Sequence, residues 1–550
     1  MAQKKQWSRR LTLAGGAAAA FGLGAYAFRR PGGTGFDWSK GDPRILRRGN
    51  DAEPTTLDPH KAANIWEDWI IGDMMVGLMH QDAKGDPIPC ACEGYSASAD
   101  GLTYTIRLRE HLWSDGVPVT ADDYVFSFRR IADPRTAAQY VSILFPIVNM
   151  EAAAAGKVPP EAVGVRALDA RTLEMRFNFQ VPYIGQLLMH ETTYAVPRHV
   201  VEKHGDNWVR PENIATNGPF ILKEWVPNDH VLLVKNPRFY DAANVHFEKI
   251  YFYPTQDVPA ALKRFRAGEL DLVNRCPPTT EVPILKREIP HEIRISPCVA
   301  NYFLPINVHV KPFDDIRVRE ALSLAVDRRV ITDKVMRVGQ LPAYNLMPPG
   351  MPGYPYSARM RFADMPMAAR RARARALLAA AGFGPDNPLS FDFSMFNTSD
   401  FKRIAVALQA MWGQVGVTCN LVAIDTQVLY DMLRKRDFAI AIGGWIADYR
   451  DPKNFAFLFE STTTDLNWGG YSNPRYDALV AASDHIRDPA KRLETLAEAE
   501  QILLDDVAIV TLLHDVNRDT VSPQVKGWIG NPINVNRSRW LSIDRSDVSV

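Results

Sequence analysis

Little in this 550-residue sequence points to covalent chemistry, to a polyanionic partner or to a disulfide framework. Five cysteines (Cys90, Cys92, Cys276, Cys298 and Cys419) are too few and too scattered for such a framework, and their odd number leaves at least one without a partner in the chain. Cys90 and Cys92 form the one close pair, but no second Cys/His pair stands near to complete a tetrahedral zinc site, so they read as small core residues. Neither sign of charge prevails: 64 Lys and Arg against 63 Asp and Glu leave a formal +1, which supplies no field to attract nucleic acid or anionic lipid. There is no G-x-S-x-G elbow, no H-E-x-x-H helix, no phosphate-binding loop and no dinucleotide fingerprint, and the 12 histidines are dispersed. An enzyme is not expected, and neither a catalytic residue, a metal ligand nor a cofactor is assigned. A triad assembled from distant positions is the one route that composition leaves open. After the N-terminus no segment approaches the ~18 consecutive apolar residues of a membrane span.

What is present is ordinary globular material, 46% hydrophobic and 23% charged, in a chain longer than one core usually supports. Two or three lobes follow. The first residues carry their own signal: Lys4, Lys5, Arg9 and Arg10 precede an uncharged stretch from Leu11 to Phe28, and Ala25-Tyr26-Ala27 has the small-x-small form of a cleavage site. Residues 1–27 read as an export signal and 28–43 as a linker containing Pro31 and Gly35. Ser8 to Leu13 resembles a twin-arginine signal, with Thr12 where an aromatic residue is commoner, and such signals export folded proteins. The alternative is an uncleaved anchor at the chain start. Either way the body works outside the cytoplasmic membrane, in the periplasm.

Along the body, strand and helix signals alternate. Leu102 to Leu108 and Leu173 to Phe179 alternate apolar and polar residues with period two, predicting strands with one buried face. Thr120-Ala121-Asp122-Asp123 has the form of a capping box opening a helix that buries Val125, Phe128 and Ala132. Asp314 and Asp315 suit the positive end of a helix running along Val318, Ala321, Leu322 and Ala325. A third helix, from Met367 to Ala381, stops at Gly382. Its Arg370, Arg371, Arg373 and Arg375 read as a solvated face, because no aromatic interleaving and no net basic charge support a nucleic-acid patch. Phe438 to Ile442 is a continuous apolar run ending at Gly443-Gly444, read as a strand buried on both faces whose backbone then comes close to something. The residues just beyond it, Trp445 to Tyr449, become the site of interest.

Six segments, in order, carry a resemblance: Leu57-Asp58-Pro59-His60-Lys61; Trp113 to Asp123; Thr216-Asn217-Gly218-Pro219-Phe220; Pro312 to Arg319; Asn397-Thr398-Ser399-Asp400; and Trp445-Ile446-Ala447-Asp448-Tyr449. Together they resemble the family 5 periplasmic solute-binding proteins of ABC importers, most closely the oligopeptide-binding members, from about Ile45 to about Ile543. The resemblance implies an α/β, two-lobed periplasmic-binding-protein (Venus-flytrap) fold with an extra third domain, closing by hinges on its ligand. It places one lobe at 44–75, 200–299 and 516–550, the extra domain at 76–199 and the other lobe at 300–515. It implies that short peptides are captured and passed to ABC permease transmembrane subunits, by a monomer that meets the membrane only through the permease or an uncleaved signal.

A general peptide receptor must fix one ammonium, one carboxylate and a regular backbone while solvating arbitrary side chains. By the resemblance, Asp448 pairs with the α-ammonium, a reading preferred to an ordinary turn or helix cap. Ile65 and Gly444 occupy positions for main-chain pairing, and Tyr140 and Trp445 aromatic positions in the cleft. Asn397 belongs to the same site. Departures concentrate at the other end: a family arginine for the carboxylate aligns with Ile442, a cleft tryptophan with Thr426 and an acidic residue with Ala63. A family histidine aligns with Lys402, whose fixed charge would serve the peptide C-terminus instead. The two positions of a relative's disulfide are Ala300 and Ile446, so that bond is absent. Other ligands known in the family, a nickel chelate, haem, an opine or a sugar, stay open beside peptides, as do a periplasmic hydrolase and a chaperone-like holder.

Overall fold

The computed structural model describes residues 41–463 and 466–546. The expected export signal and nearly all of the linker lie outside the described residues. Within them, helices and strands alternate as the periodicities predict. Thr103–Leu108 and Thr172–Arg176 are neighbouring antiparallel strands in a four-stranded sheet. Thr120 caps the helix Ala121–Ala132 through a capping box with Asp123, its backbone amide donating to the Asp123 carboxylate at 2.9 Å. Val125, Phe128 and Ala132 are buried on that helix, and burial of an aromatic such as Phe128 contributes about 1.5–3 kcal/mol. Asp315 caps Ile316–Ala325 by accepting from the Arg317 amide at 2.8 Å. Met367–Ala380 ends through Gly382, whose φ of +92° is left-handed territory that glycine enters without penalty.

Two expectations change. Arg370 is not on a solvated face: it is buried, its guanidinium lying over the rings of Tyr344 and Phe362 and donating to the Ala363 carbonyl at 2.6 Å. The long stem and planar head let one arginine of that row turn inward while Arg373 pairs outside with Glu320. The run Phe438 to Ile442 is not one continuous strand. Only Ile440–Ala441 pairs as a strand with Ser390–Phe396 in a three-stranded parallel sheet, and after Ile442 the chain crosses to another sheet as Gly443–Ile446.

That other sheet organises the molecule. Its nine strands, numbered along the chain, are β1 Ile45–Gly49, β2 Phe220–Val226, β3 His230–Lys235, β4 Lys249–Tyr253, β5 Leu272–Val273, β6 Ile293–Pro305, β7 Leu341–Pro342, β8 Gly443–Ile446 and β9 Ile509–Val521. They lie in the order β8-β6-β9-β5-β1-β4-β3-β2, with β7 also on β9. β1 runs parallel to β4 and β5, and β6 and β9 are antiparallel partners 13 residues long.

One large core draws mostly on residues between Leu46 and Phe252, another on residues from Val299 to Leu513, and a small third lies between Ala261 and Ile293. β9 passes from the second large core to the first, and β6 runs from the small third core into the second. At the crossing their register slips: Pro297 faces Val516 but Asn301 faces His514, so Cys298, Val299 and Ala300 stand opposite Asp515 alone. A bulge of this kind bends a strand pair and interrupts its ladder, which suits a junction between two bodies. Elsewhere the two regions of the chain touch directly: Tyr449 reaches into the first core and stacks on Tyr183 with ring centres 4.5 Å apart, and Arg450 pairs with Asp86.

Candidate ligand-binding site

Beside the crossing lies a cavity of about 470 Å³, within the range of small-ligand sites. β6 and β9 give it Cys298 and the run from Asp515 to Arg518. The start of the helix Ile65–Met74 gives Asn64, Ile65 and Trp66, and the end of β8 with the two residues after it gives Ile446, Ala447 and Asp448. The wall at Ile65 is held by its own capping box: Glu67 accepts from the amides of Ala63 and Asn64, each at 3.1 Å, and from Thr55. Gly72 on that helix lets Arg537 pass, since a Cβ there would stand 2.0 Å from the guanidinium carbon. Arg537 in turn clamps Asp68 at 2.9 and 3.0 Å.

Asp448 sits on the cavity wall in a frame of neutral groups. Its amide donates to Asn454 Oδ1 at 3.1 Å and its carboxylate accepts from Asn454 Nδ2 at 3.2 Å. The Trp445 indole donates to the same Asn454 oxygen at 2.9 Å, fixing the amide that orients the acid. Tyr140 hydrogen-bonds the carboxylate through its hydroxyl, and its ring stacks on His190 with centres 6.0 Å apart. Burial pushes the Asp448 pKa up, against the pull of His190 and the hydrogen bonds from Asn454 and Tyr140. Burial also lowers the His190 pKa, so near neutral pH that ring is uncharged. Next to it Glu191 is pushed well above the usual carboxylate range, first by burial and then by the Asp68 charge. Among the described residues Asp448 has no ion-pair partner. This part of the cavity wall holds a carboxylate oriented by neutral hydrogen-bonding groups.

A second charged cluster also faces the cavity. Arg275 follows β5 in a left-handed conformation, φ +57°, with its amide donating to Asp519 at 3.0 Å. Its Nη1 donates to Asp51 Oδ2 at 3.3 Å, and 45% of its side chain is accessible on the cavity wall. Burial works against its charge, but Asp51 and the other anions nearby outweigh it and raise its pKa. Arg518 lines the same cavity and donates to the Pro277 carbonyl at 3.0 Å. Among the described residues no group of three or more His, Cys, Asp or Glu side chains is arranged to hold a metal ion.

The family model for bacterial extracellular solute-binding proteins, family 5, matches residues 86–467. The chain belongs to that family. The periplasmic oligopeptide-binding protein OppA of Salmonella typhimurium is 38% identical over 494 residues, covering 89% of this chain and 90% of that one. The probable deoxycholate-binding periplasmic protein YgiS of Escherichia coli is 33% identical over 508 residues, covering 91% and 94%. Among solved structures, Haemophilus influenzae OppA in complex with the peptide RPPGFSPFR superposes with a TM-score of 0.79 at 33% identity, covering 91% of this chain and 99% of that one. The fold is therefore the α/β periplasmic-binding-protein fold, and the family is one of solute carriers, not enzymes. The named relatives are periplasmic, and no helix among the described residues is long and apolar enough to cross a membrane.

Against that family background the expected site residues divide. Asp448, Tyr140 and Ile65 line the cavity. Trp445 stands behind it, holding Asn454 and packing edge-on to Phe457. The closeness expected at the glycine pair is to side chains: a Cβ on Gly444 would lie 2.5 Å from the Tyr302 ring, and one on Gly443 2.8 Å from Trp468. Lys402 and Asn397 are exposed and are not among the residues lining the cavity. Their segment instead touches the stretch that holds the small third core, where Asp400 accepts from Thr279 at 2.6 Å. Ile442 is fully buried in the second core. Ala300 and Ile446 are cross-strand partners, the geometry in which a relative's disulfide fits, and all five cysteines here are buried and free. Sequence reasoning missed His190, Glu191, Arg275 and Tyr430. Tyr430 lies one helical turn beyond Thr426 on the helix Thr426–Lys435, so the i to i+4 spacing was the signal that could have found it.

Proposed function

We propose that this protein captures short peptides outside the cytoplasmic membrane, anchoring the α-ammonium at Asp448, and delivers them to the transmembrane subunits of an ATP-driven importer. The observation that carries this reading is the cavity carboxylate with no ion-pair partner among the described residues, held in place by Asn454 and Tyr140. A half-buried carboxylate without a counter-charge is costly, and an entering ammonium removes that cost by supplying the missing charge. The peptide-bound relative and the oligopeptide-binding relative support the same ligand class.

The lobes take 44–75, 200–299 and 516–550 on one side and 300–515 on the other, with 76–199 as the extra domain. The separate cores spanning Leu46 to Phe252 and Val299 to Leu513 support the boundary near 300, while the first core runs through 44–75, 76–199 and 200–252 alike. The protein acts as a monomer, exported to the periplasm by the twin-arginine route. The deciding experiment titrates Asp448→Asn and the unchanged protein with free-amine and N-acetylated peptides. Asp448→Asn weakens the free-amine peptides and leaves the acetylated ones unaltered. Equal loss for both, or tight binding of an amine-free carboxylate such as deoxycholate with no peptide binding, sinks the reading.

A further inference from the structure

The end of the cavity that meets the ligand's negative charge has no obvious owner, because Ile442 is core and Lys402 is not on the cavity wall. Three strands of the principal sheet, β1, β4 and β5, run parallel and finish side by side near the cavity. Carboxyl ends of parallel strands are where α/β sheets place ligands. After β1 comes Asp51 at φ +54°, and after β5 comes Arg275 at φ +57°; both are non-glycine residues in left-handed backbone. Such conformations persist only where surroundings enforce them, and they gather at binding sites. The enforcing contacts are present. The Asp51 amide donates to Thr255 Oγ1 at 3.0 Å, its carbonyl accepts from the Thr255 amide at 2.9 Å, and the Arg275 amide is tied to the buried Asp519.

The guanidinium delivered by this strained pair is underused. Its single side-chain hydrogen bond is the 3.3 Å contact to Asp51, and Nε and Nη2 have no protein partner among the described residues. Arg518 adds a second positive charge on the same wall. The anions that face them are Asp51 and Asp515, and burial disfavours the charged form of Asp515. A guanidinium with a free edge matches a carboxylate through two parallel bonds. We infer that Arg275, with Arg518 beside it, receives a carboxylate of the bound ligand, so that this chain prefers peptides that carry a negative group to meet it. The inference rests on the peptide-capture reading and adds to it the residue that selects the anionic end. The carboxylate has two possible sources, the peptide C-terminus and an acidic side chain, and one set of ligands separates them.

The test titrates the protein by calorimetry with tri-, tetra- and pentaalanine as acids, as C-terminal amides and as N-acetylated acids. Amidated peptides carrying one internal Glu or Gln complete the set. The unchanged protein binds acids over amides, or Glu over Gln peptides, by roughly tenfold or more. The first preference names the C-terminus as the source and the second names the side chain. Arg275→Met abolishes whichever preference is found while leaving amidated, glutamine-containing peptides unaffected. Arg275→Lys, which keeps the charge but not the planar fork, retains part of the preference, and melting temperatures show whether either variant is folded. No preference in the unchanged protein, or a preference that survives Arg275→Met, overturns this inference alone, provided N-acetylation still weakens binding. Indifference to N-acetylation, or binding of no peptide, overturns the peptide-capture reading itself.

Discussion

Two charged groups on the cavity wall, each one end of the proposed site, are held differently: Asp448 by Asn454, bonded to both its backbone and its side chain, and by the Tyr140 hydroxyl; Arg275 by one 3.3 Å contact from a loop in left-handed backbone. The first end is a side-chain framework in which every neighbour is neutral. The second is a charged cluster, two arginines against Asp51 and Asp515, fixed through its main chain. A framework of neutral dipoles orients a charge without neutralising it, so the whole Coulomb attraction is left for the ligand. A cluster already partly neutralised gives up some existing attraction for each new one. The amine end should therefore dominate affinity, and the arginine end should tune selectivity.

That ranking is broken or kept most directly by Asp448→Asn. Truncating one partner of a buried charge pair costs about 2–5 kcal/mol, which is roughly 30-fold to several-thousand-fold in Kd for free-amine peptides. A loss smaller than that of Arg275→Met on the same acids would reverse the order of the two ends.

The ends should also differ in their response to pH. Burial raises the Asp448 pKa in the empty cavity, and a bound ammonium favours the ionised form, so the liganded pKa is lower. The complex then binds fewer protons than the free protein between those two values, and affinity for free-amine peptides rises with pH across that window. Below the raised pKa the loss approaches tenfold per pH unit. Glu191, also raised, adds to the trend when it ionises beside the ligand cation. The guanidinium of Arg275 stays charged throughout, so the ratio of acid to amide affinity stays flat over the same range. Calorimetry from pH 4.5 to 7.5 checks both halves; an amine affinity independent of pH would contradict the buried-carboxylate account.

Tyr140→Phe sharpens the comparison within the amine end. The variant keeps the ring that stacks on His190 and removes one donor to Asp448. Free-amine peptides lose about 1 kcal/mol, roughly fivefold, and the rise in affinity shifts to higher pH because the carboxylate has lost a stabilising bond. A shift to lower pH would mean that the hydroxyl does not serve the charged form.

The two ends also differ in how far the sequence exposes them. Asp448 stands in a five-residue segment, with the tryptophan that fixes Asn454 only three residues before it, so the acid and the group that orients it are neighbours in the sequence. Arg275 meets Asp51 across 224 positions, and only the parallel pairing of β1 with β5 brings them together. No periodicity or spacing encodes that meeting. The strands at Thr103–Leu108 and Thr172–Arg176 and the three capped helices were legible because alternation and capping are local. The break after Ile442 was not, because an apolar run looks alike whether it stays in one sheet or changes to another. Arg370 misled for a related reason: a row of arginines gives no sign of which one finds two aromatic rings from elsewhere in the chain.

The smallest effect concerns Asp51, which by the same reasoning competes with the ligand for Arg275. Their contact is long and both side chains are partly accessible, so it is worth less than about 1 kcal/mol. Asp51→Asn removes the charge but not the backbone ties to Thr255, and asparagine tolerates left-handed backbone as well as aspartate does, so the loop keeps its shape. The freed guanidinium then binds acids over amides about two- to threefold more selectively, with amidated peptides unchanged. If the selectivity falls instead, Asp51 aims the arginine at the ligand and does not compete for it, and the second end of the cavity is as preorganised as the first.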